Sequence, residues 1–323
     1  MSRIRTALAG LLACWACLAV AVEPTAEAGG ILQKIRDAAK TLNYDGIFVY
    51  QHGSQVQTFR IVHRYDQGEE WERVEVLDNV QREFIRHNNK VTSLLPDKQL
   101  VIVESTRKVR FPALLFAEED MLLKYYDVFQ SPEPGRVAGR PCTKVDFLPK
   151  DGLRPAFRLC ADKTTWLLLM AQVVDDRDSI NQQIVFTQVQ IEQNIPESEV
   201  MPSWDTRQWQ VIKREPRPID FKELGWKYTL PDGYRISMQE RRTFKDGREV
   251  DQMMLTDGLA SMSIFIEPYQ QKLSQHQSTG LRQIGSVNLY GKRVGDYWVV
   301  VVGEVPVATI QLVADSLSKA TDH

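Results

Sequence analysis

The chain has 323 residues, 43% of them hydrophobic and 25% charged, with a formal net charge of −2. So mild and mixed a charge offers no broad basic field for nucleic acid and no polybasic membrane tether. The length exceeds what one small core needs and predicts two folded parts.

Residues 1–21 read as a secretory signal peptide. Arg3 and Arg5 give the positive start, Ala7–Val20 the apolar stretch, and Ala19-Val20-Ala21 the small-x-small cleavage pattern. About 14 apolar residues fall short of the roughly 20 that a spanning helix needs. A lipoprotein-type cleavage at Leu11-Leu12-Ala13-Cys14 is the weaker alternative, because it would leave Trp15–Val20 as an exposed apolar stub. Removing the leader takes away two arginines, leaves 38 basic against 42 acidic residues, a net −4, and keeps only Cys142 and Cys160. The working chain is therefore expected outside the cytoplasm, where a disulfide persists. No later run reaches membrane-spanning length, since Trp166–Ala171 and Trp298–Val302 are strand-sized.

The spacing of Leu32, Ile35, Ala38 or Ala39 and Leu42 predicts one amphipathic helix over 31–42. Short runs follow at 46–50, 56–65, 71–77, 82–87 and 91–95, separated by His52-Gly53, Asp66-Gln67-Gly68, Asp78-Asn79 and Asn88-Asn89. They predict an antiparallel meander. In the second run Phe59, Ile61, His63 and Tyr65 share one aromatic face. Pro112 opens a stretch in which Leu114, Leu115, Met121, Leu122, Leu123 and Tyr126 suit one or two helices packed on the sheet. Strand-like runs at 141–148 and 154–161 flank Lys150-Asp151-Gly152, a hairpin signal. A hairpin centred on Asp151 sets Cys142 opposite Cys160, Val145 opposite Phe157 and Thr143 opposite Leu159, which predicts a structural disulfide. Further strands are expected at 164–174 and 184–191, around the polar turn 175–179.

Pro196, Pro202, Pro216 and Pro218 mark a linker over 196–218. The remainder, 219–323, reads as a smaller domain with strands at 234–244, 250–256, 260–267, 286–290 and 297–302. In it Trp298–Val302 is a central strand, and Pro306 opens a closing helix lined by Val307, Ile310, Val313 and Leu317. The fold class is α+β, mainly antiparallel β: an unclosed barrel over 22–195, then a smaller α+β domain.

Catalytic signals are missing from the sequence. It has no Gly-x-Ser-x-Gly elbow, no Gly-x-x-x-x-Gly-Lys loop, no Gly-x-Gly-x-x-Gly turn and no His-Glu-x-x-His helix. The five histidines, His52, His63, His87, His276 and His323, stand far apart and read as surface or strand-edge residues. Asp175-Asp176 reads as a solvated turn rather than a cation site, and no cofactor or metal is implied. The aromatic residues are the more informative class. Phe48, Tyr50, Phe59, Trp71 and Trp166 on a curved sheet either fill a core or line a groove for acyl chains or an apolar peptide. Arg60, Arg64, Arg73, Arg82, Arg86, Arg107 and Arg110 could ring such a groove. Trp204, Trp209 and Trp226, near the linker, are candidate anchors for a partner.

The run Asn43-Tyr44-Asp45-Gly46-Ile47-Phe48-Val49-Tyr50 after a short helix, the strand Arg73–Asp78, Tyr125-Tyr126, Gly139-Arg140-Pro141-Cys142, and Gly303–Thr309 before the last helix together resemble the sigma-E factor regulatory protein family of RseB/MucB type. The resemblance covers essentially the whole chain after the leader. It implies a large domain similar to the lipoprotein carriers LolA and LolB, an unclosed β-barrel covered by helices, plus a smaller carboxy-terminal domain. It also implies a periplasmic, non-enzymatic negative regulator of the envelope stress response. Such a protein binds the periplasmic region of a transmembrane anti-sigma factor of RseA/MucA type and shields it from regulated proteolysis until lipopolysaccharide or lipid relieves the protection. A periplasmic lipid or lipoprotein carrier is the alternative, and it leaves 219–318 without a role. Oligomeric state, a homo-oligomer included, stays open.

Overall fold

The computed structural model describes residues 28–105, 119–192, 194–215, 217–244, 247–270 and 279–320. The signal peptide, most of the helical stretch expected after Pro112, Arg107, Arg110, His276 and His323 lie outside them. Thirteen strands form the larger sheet: β1 (Asn43–His52), β2 (Gln55–Asp66), β3 (Glu69–Val76), β4 (Glu83–His87), β5 (Lys90–Leu95), β6 (Leu100–Ser105), β7 (Tyr126–Gln130), β8 (Gly135–Val137), β9 (Arg140–Pro149), β10 (Ala156–Asp162), β11 (Leu168–Val174), β12 (Ile180–Glu192) and β13 (Gln210–Arg214). Their spatial order is β13, β6, β5, β4, β3, β2, β1, β12, β11, β10, β9, β7, with β8 on β9. Among the described residues the two end strands, β13 and β7, do not pair, so the sheet is unclosed. All pairings are antiparallel except β13 on β6. Register shifts at Ile47/Phe48, Cys160/Ala161 and Val173/Val174 let it curve.

The second set comprises β14 (Arg217–Pro218), β15 (Trp226–Lys227), β16 (Arg235–Thr243), β17 (Glu249–Thr256), β18 (Ser261–Pro268), β19 (Gly280–Ile284), β20 (Val287–Val294), β21 (Tyr297–Gly303) and β22 (Ser318–Lys319). Seven of these make a sheet in the order β14, β16, β17, β18, β21, β20, β19, while β15 and β22 form a small ladder. As its apolar run demands, β21 is internal.

Among the described residues three α-helices accompany the sheets: α1 (Ala28–Thr41), α2 (Glu119–Tyr125) and α3 (Val307–Ser316). None of the described helices is long and apolar enough to cross a membrane. α1 turns Ile31, Leu32 and Ile35 onto one stripe and buries it with Leu122 of α2 against Val145, Phe147, Phe157 and Leu159. That core continues into Met253, Leu255, Ile264, Val301 and Ile310 of the second sheet and α3. A second core joins Tyr44, Phe48, Ile61 and Phe186 to the cysteines. There Phe186 lies over Gly46, whose position cannot take a β-carbon: one would stand 2.7 Å from the Phe186 ring and 2.8 Å from the Gln188 carbonyl oxygen.

Three expectations change. The helix after Pro112 stops at Tyr125, and Tyr126 opens β7, where its hydroxyl finds a carboxylate. His63 is fully buried rather than superficial, because it stands on the aromatic face of β2; its Nδ1 lies 2.7 Å from the Leu42 carbonyl oxygen and its ring stacks on Tyr44 at 5.1 Å. The cysteine hairpin is centred on Gly152 rather than Asp151, because residues 150–155 form a wide loop instead of a tight Asp-Gly turn. Cys160 therefore faces Lys144, Cys142 faces Asp162, Val145 faces Leu159 and Phe157 faces Phe147. A slip of two residues keeps every side chain on its face, so Cys142 and Cys160 still bond, with Cα atoms 5.5 Å apart.

The bridge closes a separation of 18 residues, which in the chain-entropy picture stabilises by about 3 kcal/mol. Replacing both cysteines by alanine should lower the unfolding free energy in urea by about that amount; an unchanged midpoint would mean that the bridge does not constrain the unfolded chain.

Candidate functional site

The wide loop between β9 and β10 builds the joint between the two sheets. Asp151 Oδ1 accepts the backbone N–H of Leu153 at 2.9 Å and Arg154 Nε at 3.1 Å, which aims the arginine inward. The Arg154 side chain is 0% exposed. Its Nη2 donates to the Asp232 carbonyl oxygen at 2.5 Å, and its Nη1 lies 3.5 Å from Asp257 Oδ2. The guanidinium sits 4.4, 5.2 and 5.8 Å from the ring centroids of Tyr125, Tyr234 and Tyr126, within reach of cation–π attraction.

Asp257 is held from both sheets. Its Oδ1 caps its own turn by accepting N–H from Leu259 (2.9 Å) and Ala260 (2.7 Å), and its Oδ2 accepts the Tyr126 hydroxyl at 2.9 Å. Burial pushes this carboxyl up, while these donors and Arg154 pull against the push. Burial likewise pushes up the Tyr126 and Tyr234 hydroxyls, reinforced by the Asp257 charge. The Leu153 carbonyl oxygen accepts Tyr234 Oη at 3.2 Å and Thr309 Oγ1 at 2.6 Å. Gly233 completes the fit: at φ +80, a β-carbon there would stand 2.5 Å from the Tyr125 ring.

A second contact lies where the β1–β2 hairpin tip meets the turn between β19 and β20. His52 Nε2 is 2.6 Å from Glu304 Oε1 and 2.9 Å from Ser286 Oγ, whose hydroxyl donates to the same carboxylate oxygen at 3.1 Å. Unlike Arg154, this pair is open to water, with side chains 21% and 24% exposed. Burial pushes the Glu304 carboxyl up, and His52 and Ser286 partly offset it. Tyr50 stacks on His52 at 6.4 Å and accepts Gln182 Nε2 at 2.9 Å.

The larger sheet presents an apolar row on one face. Cross-strand pairing aligns Ile61, Val74, Phe84, Ser93, Ile102 and Ile212 from β2 to β13. Beside it run Phe48, Phe59 and Val76. On its other side run His63, Glu72 and Arg86. Ile61 is buried, Val74, Ile102 and Ile212 are half-buried, and Phe84 is 36% exposed, so the row opens toward the β13 end. The opposite face of these strands is covered by residues 194–209. Ile195 and Val200 pack on Val62 and Trp71, and Glu199 accepts Arg60 at 2.9 Å. The Met201 carbonyl oxygen accepts Arg73 at 3.1 Å, and the Ser203 N–H donates to Glu83 at 3.1 Å.

The candidate aromatic residues are thus divided. Phe48 and Phe59 meet face to face at 5.1 Å, with Phe186 at 5.9 Å from Phe48. Trp71 stands on the other face, stacked on His87 at 3.5 Å. Trp204 and Trp209 pair at 6.3 Å on the covering segment, Trp209 against Ile85, Leu94 and Val101. Trp166 sits in a turn with Lys34 Nζ 4.7 Å above its ring, and Trp226 is buried against Tyr297. Of the arginines expected to ring a groove, Arg107 and Arg110 lie outside the described residues, and Arg60, Arg64, Arg73 and Arg86 are held in ion pairs instead. Asp45 pairs with Arg60 at 2.7 Å, Asp66 with Arg64 at 2.7 Å, Glu75 with Arg73 at 2.7 Å, and Glu70 and Glu72 with Arg86 at 2.8 and 3.0 Å. Acidic neighbours on the same strand (Asp66, Glu75) or an adjacent one (Asp45, Glu70, Glu72) neutralise these cations.

An open antiparallel sheet with a half-exposed apolar row, fastened to a second sheet through a buried cation, is the architecture of a binding protein. The family models of the MucB/RseB N-terminal domain and the MucB/RseB C-terminal domain match residues 27–204 and 220–318. The chain belongs to the MucB/RseB family. It is 27% identical over 321 residues to the sigma factor AlgU regulatory protein MucB of Pseudomonas aeruginosa, across 95% of this chain and 96% of that protein. Its identity to the sigma-E factor regulatory protein RseB of Escherichia coli K12 is 22% over 298 residues, 91% of each. The solved structure of the Pseudomonas aeruginosa MucA/MucB complex aligns with a TM-score of 0.73 at 25% identity, over 92% of this chain and all of that one. A structure of MucB in complex with MucA(peri) aligns at 0.70 and 24%, over 91% and all.

Because the folded chain holds the Glu304 proton to higher pH than the unfolded chain does, the stability this group contributes is present below its ordinary 4.5 and lost as pH rises through the raised value. Glu304→Gln should flatten that decline in urea denaturation measured across mildly acidic pH; an identical slope would place the linkage elsewhere.

Proposed function

We propose that this chain is a periplasmic negative regulator of a sigma-E-type envelope stress response. In this reading it binds the periplasmic region of a transmembrane anti-sigma factor of RseA/MucA type and keeps it from regulated proteolysis. Lipid or lipopolysaccharide releases the hold. Residues 1–21 act as a leader for export. The chain then works as a large part, 22–195, joined by 196–218 to a small part, 219–323. The observation that carries the reading is the match of both family models along one chain, together with the complex in which the relative MucB is solved with MucA.

The geometry offers a physical basis. The apolar row is long enough to take an extended apolar ligand, and the exposed Trp204 with its neighbour Trp209 supplies anchors of the kind that dominate protein interfaces. Release by lipid is then linkage: a ligand that prefers the arrangement unable to hold the anti-sigma factor must weaken that hold by the same factor. A lipid carrier would use the row but would not need the second sheet.

Pull-down with the purified periplasmic segment of the anti-sigma factor of the same organism tests the function. Saturable one-to-one binding, with slower cleavage of the segment by its protease and faster cleavage after lipopolysaccharide is added, is expected. Absence of segment binding, with acyl lipid retained through purification, would replace this function with the carrier.

A further inference from the structure

Among the described residues β19 closes the seven-stranded sheet and pairs with β20 alone. Gly285 and Ser286 make the two-residue turn between them, with Gly285 at φ +61. Such a hairpin closes on a hydrogen-bonded pair, and bonded pairs alternate along the ladder. Ile284, Arg282 and Gly280 therefore turn their main-chain groups to Val287, Leu289 and Gly291, and those of Leu281 and Gln283 point away from the sheet.

Natural edges are blunted by proline, bulges or inward charge. This one has a regular register, no proline, and exposes 281–284, with Leu281 41% and Ile284 66% exposed. It resembles a strand awaiting a neighbour.

Charge and periodicity select the neighbour. From 268 to 295 the sequence has no Asp or Glu but carries Lys272, Arg282, Lys292 and Arg293, in a chain whose net charge is −2. Lys292 is spent on the Leu317 carbonyl oxygen and Arg293 on the Gly295 carbonyl oxygen. No described carboxylate pairs with Arg282. A second copy added antiparallel about the centre of β19 would set Arg282 against its own equivalent, which is repulsive. A membrane surface fits no better. Leu281 and Ile284 lie on opposite faces of a strand of period two, and a bilayer offers nothing to the outward N–H groups.

We propose that the open edge of β19 receives an extended, acidic segment of the partner polypeptide as an eighth strand of the smaller sheet. The inference rests on the function proposed above and names where the anti-sigma factor's periplasmic region is held. β19 ends at the joint, where Gly285 lies against the His52-Gly53 tip and Val56 and Ile180 are exposed. An added strand therefore continues from the second sheet onto the first, with main-chain bonds giving affinity and Arg282 giving preference for acid.

The test measures the affinity of the chain without residues 1–21 for the purified periplasmic segment, unaltered and as Gln283→Pro, Arg282→Glu and Arg282→Lys. Proline removes an outward N–H without touching the β20 ladder. Gln283→Pro and Arg282→Glu should each weaken binding by about tenfold or more, and Arg282→Lys should stay within about threefold. Hydrogen exchange on the unaltered chain should show the Leu281 and Gln283 amides slowing when the segment is added, a result independent of how the variants fold. Wild-type affinity in both disruptive variants with no slowing at those amides overturns the added strand alone. So does loss of binding to phosphatidylglycerol vesicles, or of self-association, in place of segment binding. Failure of the unaltered chain to bind the segment overturns the proposed function and the strand with it.

Discussion

The structure depends on one buried cation. Arg154 sits where the larger sheet meets the smaller, fully enclosed, with a carbonyl oxygen, two carboxylates and three tyrosine rings around it. Enclosing a guanidinium is costly unless every donor is met and the charge is balanced. A buried pair of this kind adds little net stability against an apolar replacement, but it tolerates no other arrangement of the groups that face it. Asp232, Gly233, Tyr234 and Asp257 have to be where they are for Arg154 to be buried at all. The joint is therefore specified by charge, while the continuous core around it, from Ile35 through Phe157 to Ile310, supplies the apolar burial.

The two contacts between the sheets differ in kind. Arg154 is sealed, whereas His52 and Glu304, both only half-buried, meet the buried Ser286 at the tip of a hairpin. Exposed ion pairs contribute little and respond to pH and salt. One fixed point and one yielding point give a joint that holds its geometry yet can adjust at the edge where β19 and the β1–β2 tip come together. That edge is also where the exposed apolar residues Val56, Ile180 and Ile284 gather, so any partner spanning both sheets meets the yielding contact first.

Much of this was legible in the residues. Period-two alternation gave the aromatic face of β2, and the spacing of Ile310 and Val313 gave α3. The cysteine pair was legible through two strands around Asp151-Gly152, although the wide loop moved the register by two. β13 left no trace, since Gln210-Val211-Ile212-Lys213-Arg214 is an exposed edge strand with no apolar alternation, and its parallel pairing to β6 reaches across more than a hundred residues. Gly280–Ile284 was silent for the same reason. Arg154 was hidden differently. A lone arginine entering an apolar strand carries no local sign that Asp257, 103 residues away, will close over it; Asp257-Gly258 itself reads only as a turn. Long-range convergence of charge has no period, and it is where a single sequence says least.

The most direct test of the account is calorimetric unfolding of the chain without residues 1–21, beside its Arg154→Leu variant. The account predicts one cooperative transition for the unaltered chain. In the variant, an uncompensated Asp257 costs about 3–5 kcal/mol, and two transitions should appear, the smaller sheet melting first. A variant that unfolds in the same single transition, at the same temperature, would contradict the claim that Arg154 makes the two sheets one body.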